Sequence, residues 1–570
     1  MGSQGAADEF RFPTEIKTVA VIGAGISGVA SAAHLLRQGL DVTVFERSTV
    51  AGGVWHYDPT VPAEPPYPND RPHAPVPDGI RRADSSSSSS SSGGSTTFEE
   101  AQLAHAPPGP CYNGLRNNIP TSVMRTTLMP WPEGTPDYIT HGQVETYIQE
   151  LAARTGVQDR IRYGARVESV RKEEEKKDPY RDGGGGGPVT VAPRWTVRTR
   201  TLQGDAAGDR YRFVDDEWEF DAVVVASGRY HEPRIPDLPG LKEWKARFPD
   251  GVLHSKAYRS PEPFRGRTVL LVGGGVSALD IGREIVGIAK ETYQSVRGGK
   301  FDLPAGLFAS GVKRVGQIDR FVLGEDDDEG EGEGEGGGGG GGEEGKKGNG
   351  VGGPREGGSA VLRDGRVIRG IDAVILCTGY ITTYPFLGPL QAPAVPKEEA
   401  DDRVVITSDG CTTHNLHKDV FYIPDPSLAF VGVPYHASAF SLFDFQAEVV
   451  ARVFAGKALL PSQRAMRSEY DERKPAIASG GGAAFHSLMK RDVEYMRGIQ
   501  EWVNRDAARL GHEPMDAIDE KWVESYFSFL EDMKGKRWED PDKDQEIPQP
   551  VGKELRGDLG DLRVVSAVSG

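Results

Sequence analysis

An apolar strand, a glycine-rich turn and an amphipathic helix follow one another near the start of the chain. Lys17–Ile22 is a short apolar run of the kind that forms a strand buried on both faces. After the turn, Val29–Gln38 has apolar residues at helical spacing, and Asp41–Phe45 predicts a second strand. A strand, a helix and a strand in this order predict the start of a parallel α/β sheet.

The same order of elements appears again in the middle of the chain. Thr268–Val272 predicts a buried strand, Leu279–Ile288 predicts a helix, and a further strand is expected to end near Val296. This repetition indicates an internal duplication. The chain is therefore predicted to contain two βαβ units of dinucleotide-binding size.

Each of the two strand-to-helix turns carries a glycine-rich loop. In such a loop one glycine permits a tight turn, one lets the backbone approach a pyrophosphate, and a glycine or alanine lets the helix pack close to the strand. The phosphates then face the N–H groups and the positive dipole end of the helix. Glycine turns in a plain α/β sheet are the alternative, but they do not explain why both units end at a charged residue. The residues predicted to bind the two dinucleotides are Gly23, Gly25, Ser27 and Gly28 in the first loop, and Gly273, Gly275, Ser277 and Ala278 in the second.

The charged residues that end the two units differ, and the difference predicts the ligands. Glu46 ends the first unit, where a carboxylate accepts a hydrogen bond from a ribose hydroxyl and repels a 2′-phosphate. The second unit ends in Ser295 and Arg297, and a guanidinium suits a 2′-phosphate. The alternative for Arg297 is a solvated charge at a strand end. The second unit therefore predicts NADPH rather than NADH.

Three segments interrupt this pattern and are predicted to be disordered insertions. The segment Pro59–Pro110 is rich in proline and contains a serine run, 173–188 combines charges with glycines, and 324–358 is acidic and then almost pure glycine. None of them has the apolar content needed to offset the entropy of an ordered chain. A docking or metal-binding role for these loops is the less favoured alternative.

Composition narrows the class of protein. The net charge is −17 with a pI of about 5.3, which disfavours broad binding to nucleic acids or anionic lipids. The three cysteines are widely spaced, so neither a disulfide framework nor a redox pair is expected. No Cys/His cluster at metal-ligand spacing is present, and no apolar run approaches the roughly 20 residues of a membrane span. A cytoplasmic protein without a metal site is expected, and no pattern specifies its oligomeric state.

At this point the motifs resemble the flavin-containing monooxygenases, over most of the chain once the three insertions are set aside. The first loop and its continuation to Trp55 are similar to the family's FAD fingerprint. The signature F-x-G-x-x-x-H-x-x-x-Y/F resembles Phe248–Tyr258, except that its glycine position holds Asp250. The other segments that resemble the family are Tyr112–Pro120 (YNGLRNNIP), Ala226–Gly240 (ASGRYHEPRIPDLPG), Cys377–Tyr380, Tyr384–Leu387, Leu428–Pro434 and Phe445–Gln446.

The resemblance implies a fold and an arrangement of domains. The fold is α/β with two Rossmann-like dinucleotide-binding domains, and the NADPH-binding domain is inserted into the FAD-binding domain. The expected boundaries are 1–235 for the first part of the FAD-binding domain, 236–376 for the NADPH-binding domain, 377–545 for the second part of the FAD-binding domain and 546–570 for a flexible tail.

The resemblance also implies a reaction. NADPH reduces the flavin, oxygen then forms a C4a-hydroperoxyflavin, and a soft small-molecule nucleophile containing nitrogen or sulfur attacks it. The amide of Asn118 is implied to face the flavin, although an asparagine before Ile-Pro is otherwise an ordinary turn former. His254 is expected to be a structural histidine. The remaining residues assigned to cofactor binding are Arg47, Gly53, Val54, Trp55, Val167, Ser227, Gly228, Tyr258, Thr378, Gly379 and Gln446.

Several alternatives stay open. Baeyer–Villiger and N-hydroxylating monooxygenases share the cofactors, but Baeyer–Villiger enzymes carry a tryptophan where this chain has Tyr258, which favours heteroatom oxidation. A disulfide reductase is disfavoured because no cysteine pair is present. A non-catalytic nucleotide-binding flavoprotein is the alternative from another class. For Trp55 the alternative to a flavin contact is a structural turn around a core side chain.

Overall fold

The computed structural model describes residues 9–73, 97–172, 193–204, 211–299, 302–323, 357–477 and 484–535. The helices are α1 (Ile26–Arg37), α2 (Phe98–His105), α3 (His141–Arg154), α4 (Leu241–Arg247), α5 (Val276–Ile285), α6 (Ala439–Phe454), α7 (Gln463–Arg473), α8 (Asp492–Leu510) and α9 (Glu520–Gly535). The strands of the first half are β1 (Glu9–Phe10), β2 (Thr18–Ile22), β3 (Asp41–Phe45), β4 (Ile161–Arg162), β5 (Ala165–Lys172), β6 (Trp195–Gly204), β7 (Tyr211–Phe220), β8 (Ala222–Val225), β9 (Glu232–Pro233), β10 (Val252–His254) and β11 (Thr268–Val272). Those of the second half are β12 (Glu291–Ser295), β13 (Val312–Val315), β14 (Ile318–Val322), β15 (Gly358–Leu362), β16 (Val367–Ile371), β17 (Ala373–Leu376), β18 (Tyr380–Ile381), β19 (Leu416–His417), β20 (Phe421–Tyr422), β21 (Leu428–Phe430) and β22 (Leu460–Pro461).

The first glycine loop lies in a seven-stranded sheet with the order β19-β20-β21-β8-β2-β3-β4. Strands β21, β8, β2, β3 and β4 are parallel to one another, whereas β19, β20 and β21 pair antiparallel. Helices α1 and α6 pack together beside this sheet, and the apolar side chains of its two faces belong to two separate clusters. Burial on both faces explains why β8 is an uninterrupted apolar run, AVVV, in which every residue is buried.

The second glycine loop lies in a separate, fully parallel sheet with the order β10-β17-β11-β12-β13. One face of this sheet contributes to the cluster shared with the first unit, and the other is covered by the antiparallel sheet β14-β15-β16 and by Trp244. The chain enters this unit after β8 and leaves it after β17. The short strands β9 and β18 pair with each other at these two crossings. The second unit is therefore inserted into the first, as the resemblance implied.

The two helices that follow the glycine loops begin three residues earlier than the periodicity predicted. Helix α1 begins at Ile26 rather than Val29, and α5 begins at Val276 rather than Leu279. In each case a glycine is the N-cap and no side chain caps the helix. Because no polar capping residue marks these starts, apolar spacing alone placed them too late. Helix α5 also ends earlier than predicted, at Ile285, where Val286 is extended and Gly287 has a φ of 87°.

The prediction that Pro59–Pro110 forms one disordered insertion is wrong in part. Residues 59–73 and 97–110 have defined structure, and α2 begins with a capping box between Thr97 and Glu100. Asn69 is buried and pairs with Ile235 at the edge of the second unit. The proline content concealed both features, because a capping box satisfies helix N–H groups regardless of the surrounding composition. The segment 173–188, nearly all of 324–358 and the tail 546–570 lie outside the described residues.

Candidate functional site

The first glycine loop has the geometry of a phosphate cradle. Gly23 has a φ of 103°, and a Cβ there would lie 2.7 Å from the carbonyl oxygen of Ala226. A Cβ on Gly28 would overlap the carbonyl oxygen of Gly23, which brings α1 directly against the loop. Gly25 is the N-cap of α1 and no side chain caps this helix, so the N–H groups of its first turn are not occupied by a capping side chain. Ser27, on the same turn, is buried.

Glu46 directly follows β3, and its carboxylate is hydrogen-bonded to the first glycine loop. Its Oε2 accepts from the N–H of Ala24 at 2.7 Å, and its Oε1 accepts from the N–H and hydroxyl of Ser48, both at 2.8 Å. A carboxylate has about four lone-pair sites, so it can still accept a bond from a ribose hydroxyl. The contact between Glu46 and a ribose therefore stays a prediction. The hydrogen bonds of Glu46 to Ala24 and Ser48 give this residue a structural role as well.

The guanidinium of Arg47 is partly buried beside a histidine. Its Nη2 donates to Nδ1 of His231 at 2.7 Å, and Nε2 of His231 in turn contacts the carbonyl oxygen of Ser227. Burial, followed by the charge of Arg47, lowers the pKa of His231 to about 3, so this ring is neutral. Because the ring of His231 is neutral, its contact with Arg47 does not neutralise the positive charge of the guanidinium. A partly buried positive charge of this kind suits an anionic ligand.

The aromatic residue predicted beside the flavin is deeply buried. Trp55 is 1% exposed and meets Phe440 edge-on at 6.4 Å, so its core role is evident. Its indole N–H has no hydrogen-bond partner within the described part of the chain. Gly53, with a φ of 59°, and the buried Val54 complete the turn. An indole N–H that lacks a protein acceptor is compatible with a contact to a bound group.

Asn118 differs from its neighbour Asn117 in a way that bears on its role. The amide of Asn117 donates to the carbonyls of Ile119 and Asp137, both at 2.7 Å, and its Oδ1 accepts from the N–H of Ile139 at 2.5 Å. Asn117 therefore holds the turn. The Oδ1 of Asn118 is buried and accepts no hydrogen bond from any described residue. The ordinary turn-forming role thus belongs to Asn117, and the side-chain oxygen of Asn118 is available to accept a hydrogen bond from a ligand.

The second glycine loop repeats the geometry of the first. Gly273 has a φ of 135°, and a Cβ there would overlap the carbonyl oxygen of Cys377. Gly275 is the uncapped N-cap of α5, and a Cβ on it would meet open space. Ser277 is partly buried and Ala278 fully buried on the first turn. Two spaced glycines and an uncapped helix again form an anion cradle.

The two residues predicted beyond this cradle have different environments. The hydroxyl of Ser295 donates to the carbonyl of Gly316 at 2.9 Å, so it already has a protein partner. Arg297 is exposed just after β12, in the register that the sequence predicted. An exposed guanidinium there can reach a 2′-phosphate, and this assignment stays a prediction.

The signature segment keeps its register despite Asp250. Nε2 of His254 donates to the carbonyl of Gly379 at 2.9 Å, and its Nδ1 accepts from the N–H of Lys256 at 3.0 Å. Both ring nitrogens are thus engaged, and burial lowers the pKa of His254 to about 3. A neutral, fully bonded ring matches the structural role expected for His254. Tyr258 is 1% exposed, and its hydroxyl donates to Glu284 at 2.5 Å.

The other predicted cofactor residues lie near the crossings between the two units or, for Gln446 on α6, within the first unit, with one exception. Gly228 has a φ of 71° just after β8, and the hydroxyl of Thr378 donates to the carbonyl of Arg234 beside Gly379. Gln446 is fully buried; it accepts from the N–H of Gly432 at 3.2 Å and donates to Tyr495 at 2.8 Å. Val167 is the exception, since it lies in β5 opposite Thr199 in a separate three-stranded sheet.

Sequence reasoning missed three residues beside the cradles. His231 supports Arg47, and the ammonium of Lys256 donates to the carbonyl of His231 at 2.7 Å. Gln294 donates to the carbonyl of Gly273 at 3.0 Å, while its buried Oε1 has no partner among the residues described. The only available signal was position. His231 and Lys256 lie inside segments already singled out, and Gln294 lies just before the expected end of a strand near Val296.

Metal chemistry receives no support from side-chain placement. In the described ranges, no three His, Cys, Asp or Glu side chains form a group that could hold a metal ion. Within those ranges, no helix is long and apolar enough to cross a bilayer. The two cradles, the available amide of Asn118 and the free indole N–H of Trp55 fit a flavin dinucleotide and a second nucleotide.

Comparison with known proteins agrees with this geometry. The model of the flavin-binding monooxygenase-like family matches residues 89–306 and 355–510, and that of FAD-dependent oxidoreductases matches 18–57. A flavin-containing monooxygenase of Aspergillus flavus, ustF2, is 37% identical over 89% of this chain and 96% of its own length. A second one from the same fungus, ustF1, is 32% identical over 94% of each chain.

A solved structure shares the fold. The S-allyl-L-cysteine S-oxygenase of Allium sativum superposes with a TM-score of 0.59 at 24% identity, covering 94% of this chain and 95% of its own. The predicted α/β fold with one dinucleotide-binding unit inserted into another is confirmed, and the cofactors FAD and NADPH predicted from the two loops are those of the matched family. This chain belongs to the flavin-binding monooxygenase-like family.

Proposed function

We propose that this protein is an NADPH-dependent monooxygenase that transfers one oxygen atom from O2 to the nitrogen or sulfur of a small nucleophile. The observation that supports this most is the pairing of two phosphate cradles in one chain, the first ending in Glu46 and the second followed by Arg297. The first cradle favours a ribose without a phosphate, as FAD has, and the second favours a ribose with a 2′-phosphate, as NADPH has.

When bound, the flavin supplies the redox chemistry, because it accepts hydride and activates oxygen. The task of the chain is to bind, orient and exclude water. Gly23–Gly28 and Arg47 would hold FAD, and Gly273–Ala278 with Arg297 would hold NADPH. The buried apolar ring of Trp55 would form part of the wall of the flavin pocket. This assignment extends to the domains: residues 1–235 and 377–545 form the FAD-binding part, and 236–376 the NADPH-binding part.

Asn118 would supply a hydrogen bond at the reacting centre. Its Oδ1 is buried and free of any bond from the described chain, while Asn117 keeps the turn rigid. A preorganised amide costs no reorganisation when the reaction begins. No general acid or base is required of the chain in this scheme, since orientation and exclusion of water carry most of the effect.

The function is tested with purified protein and a panel of thiols, thioethers and amines. We expect yellow protein that oxidises NADPH faster when a nucleophile is present, with an S-oxide or N-oxide as the product. Lactone or ester formation from ketones would instead favour a Baeyer–Villiger enzyme. Colourless protein, or flavin that NADPH does not reduce, would favour the non-catalytic alternative.

Asn118→Ser should retain FAD and its reduction by NADPH but release more hydrogen peroxide. Losing one preorganised hydrogen bond at the reacting centre is expected to raise the uncoupled fraction by about tenfold. Asn117→Ser is an informative comparison, because it should lower thermal stability by breaking three bonds in the turn. Peroxide release that stays at the wild-type level in the Asn118 variant would remove this residue from the mechanism.

Arg297→Ala should raise the KM for NADPH by about ten- to a hundredfold while the KM for NADH changes little, since a charge-assisted bond to phosphate contributes about 1.5–3 kcal/mol. Arg267→Ala is a control, as it alters a charge at the opposite end of the neighbouring strand β11. Equal changes in both KM values would contradict the 2′-phosphate assignment.

A further inference from the structure

Two tyrosines and two carboxyl groups meet where α5 faces the chain segment that carries Asn118. Asp280 and Glu284 are four residues apart and so share one face of α5. The hydroxyl of Tyr112 donates to Asp280 at 3.2 Å, and that of Tyr258 donates to Glu284 at 2.5 Å. The two tyrosine rings contact each other edge-on at 5.5 Å. We refer to these four residues as the acid–tyrosine cluster.

The cluster is packed directly against the segment 112–118. A Cβ on Gly114 would overlap Oε1 of Glu284, so any larger residue there would require the carboxyl group of Glu284 to move. The N–H of Asn113 donates to the carbonyl of Arg259 at 2.9 Å, which ties the segment to the residue after Tyr258. Tyr112 and Tyr258 are both buried. The cluster therefore connects the helix that begins at the second cradle with the turn that ends at Asn118.

The charges around Glu284 are unfavourable for its ionised form. Asp280 on the same helix and Glu262 on the turn before β11 both face it, and Tyr258 covers it from the segment after β10. The nearest cation on α5, Arg283, lies 3.9 Å from the carboxylate of Asp280 and also donates to the carbonyl of Leu307. Burial, with Asp280 and Glu262 as minor causes, raises the pKa of Glu284 to about 7, and burial raises the pKa of Asp280 as well.

We propose that Asp280 and Glu284 are positioning residues, which dock the NADPH-binding unit against the segment carrying Asn118, and that this docking requires a proton on the carboxyl pair. Asp280 binds Tyr112 of that segment directly. Glu284 lies against Gly114 and, within its own unit, holds Tyr258, whose neighbour Arg259 accepts from the N–H of Asn113. The proposal rests on the function proposed above. With one proton present, both tyrosine bonds form and only one negative charge is buried. With none, two partly desolvated carboxylates repel each other across one helix turn.

The direction of the pH effect follows from the raised pKa. Glu284 holds its proton more tightly in the docked state than in an exposed state, where a glutamate has a pKa of about 4.3. Docking is therefore most stable at low pH, weakens as the pH rises toward about 7, and levels off above that value. Hydride transfer, which depends on how the two units are docked, should fall over the upper part of the same range.

Glu284→Gln tests the proposal, because glutamine keeps an oxygen that accepts from Tyr258 and carries no charge at any pH. The first measurement is the rate constant for flavin reduction by NADPH in anaerobic stopped flow between about pH 6 and about pH 8.5. We expect the wild-type rate to fall by about fivefold as the pH rises, and the variant to keep the low-pH rate throughout. Glu262→Gln, a neighbour without a tyrosine bond among those described, should keep the fall in rate but displace it slightly toward lower pH, because the charge of Glu262 is a minor cause of the raised pKa of Glu284.

The second measurement is the thermal unfolding midpoint over the same pH range, which requires no turnover. The wild-type midpoint should fall with rising pH more steeply than that of the Glu284→Gln variant. A variant whose reduction rate and midpoint both follow the wild-type profiles would overturn the proposal, as would a wild-type rate that does not change with pH. Wild-type flavin that NADPH never reduces would instead refute the proposed function, and the unfolding profiles would then decide the docking role alone.

Discussion

Gly28→Ala is expected to yield folded protein that is purified with little or no flavin. A methyl group there would overlap the carbonyl oxygen of Gly23 and lie 2.9 Å from its carbonyl carbon. Both atoms are backbone, so α1 or the first loop must shift. Gly23 has little room to move, because it already lies against the backbone just after the neighbouring strand β8. A Cβ added to Gly23 would be 2.7 Å from the carbonyl oxygen of Ala226. A displacement of about 1 Å at such a site is enough to cost about a hundredfold in function.

Flavin content per protein chain, measured by absorbance after denaturation, checks this prediction. Gly142→Ala is the matched control, because Gly142 lies on α3 with no atom within 4 Å of its added Cβ. That variant should keep the wild-type flavin content. Far-ultraviolet circular dichroism establishes that both variants are folded. A folded Gly28→Ala protein with full flavin content would show that the first loop does not hold FAD as proposed.

Gly273→Ala should have the complementary defect: flavin stays bound, but NADPH no longer reduces it at a normal rate. The added Cβ would overlap the carbonyl oxygen of Cys377, and the φ of 135° strains any side chain. Because Gly273 belongs to the inserted unit, the FAD cradle formed by α1 and the first loop is left intact. We expect the reduction rate to fall by about a hundredfold.

The comparison variant for Gly273→Ala is Gly266→Ala. Gly266 also has a positive φ, 71°, but its Cβ would meet open space in a turn before β11. The Gly266→Ala variant therefore measures the effect of backbone strain in the NADPH-binding unit, without any overlap at the second glycine loop. Equal loss of reduction in the two variants would attribute the effect to destabilisation of the unit, and unchanged reduction in Gly273→Ala would refute the NADPH assignment of the second loop.

The framework of the fold could be predicted because its signals are local. Strands β3 and β11 have the boundaries that the sequence predicted. Every residue of β11 is buried, and a strand buried on both faces forms a largely apolar run whose ends are easy to place. The starts of α1 and α5 were placed late because their N-caps are glycines. These helices lack the capping signal for the same physical reason that makes them candidate phosphate sites: a side-chain cap would occupy the N–H groups that the ligand needs.

The details of the site depend on contacts between residues that are far apart in the chain. The periodicity of apolar residues carries no information about such contacts. Apart from the family resemblance, nothing in the sequence distinguishes Asn117 from Asn118. Contacts with Asp137 and Ile139 give the first a structural role and leave the side-chain oxygen of the second without a partner among the described residues. His231 becomes a partner of Arg47 only because β8 and β3 flank β2 in one sheet. The acid–tyrosine cluster likewise requires that two units meet.

The helix α2 shows how composition can mislead at short range. It lies in a segment rich in proline, glycine and serine, for which disorder was expected. The pair Thr97 and Glu100 nevertheless forms a complete capping box, and His105 at the end of the helix donates to the carbonyl of Gly164 at 2.8 Å. A local motif with two satisfied backbone groups and one tertiary anchor is sufficient to order a short helix.

The central claim is that two cradles in one chain bring NADPH to a bound flavin. Its most direct test is an anaerobic titration of the purified yellow protein with NADPH, followed by oxygen and a thioether or amine. The account predicts that about one equivalent of NADPH bleaches the flavin absorbance, and that oxygen restores the colour while an S-oxide or N-oxide forms. Flavin that stays oxidised in excess NADPH, or protein that contains no flavin, would contradict it.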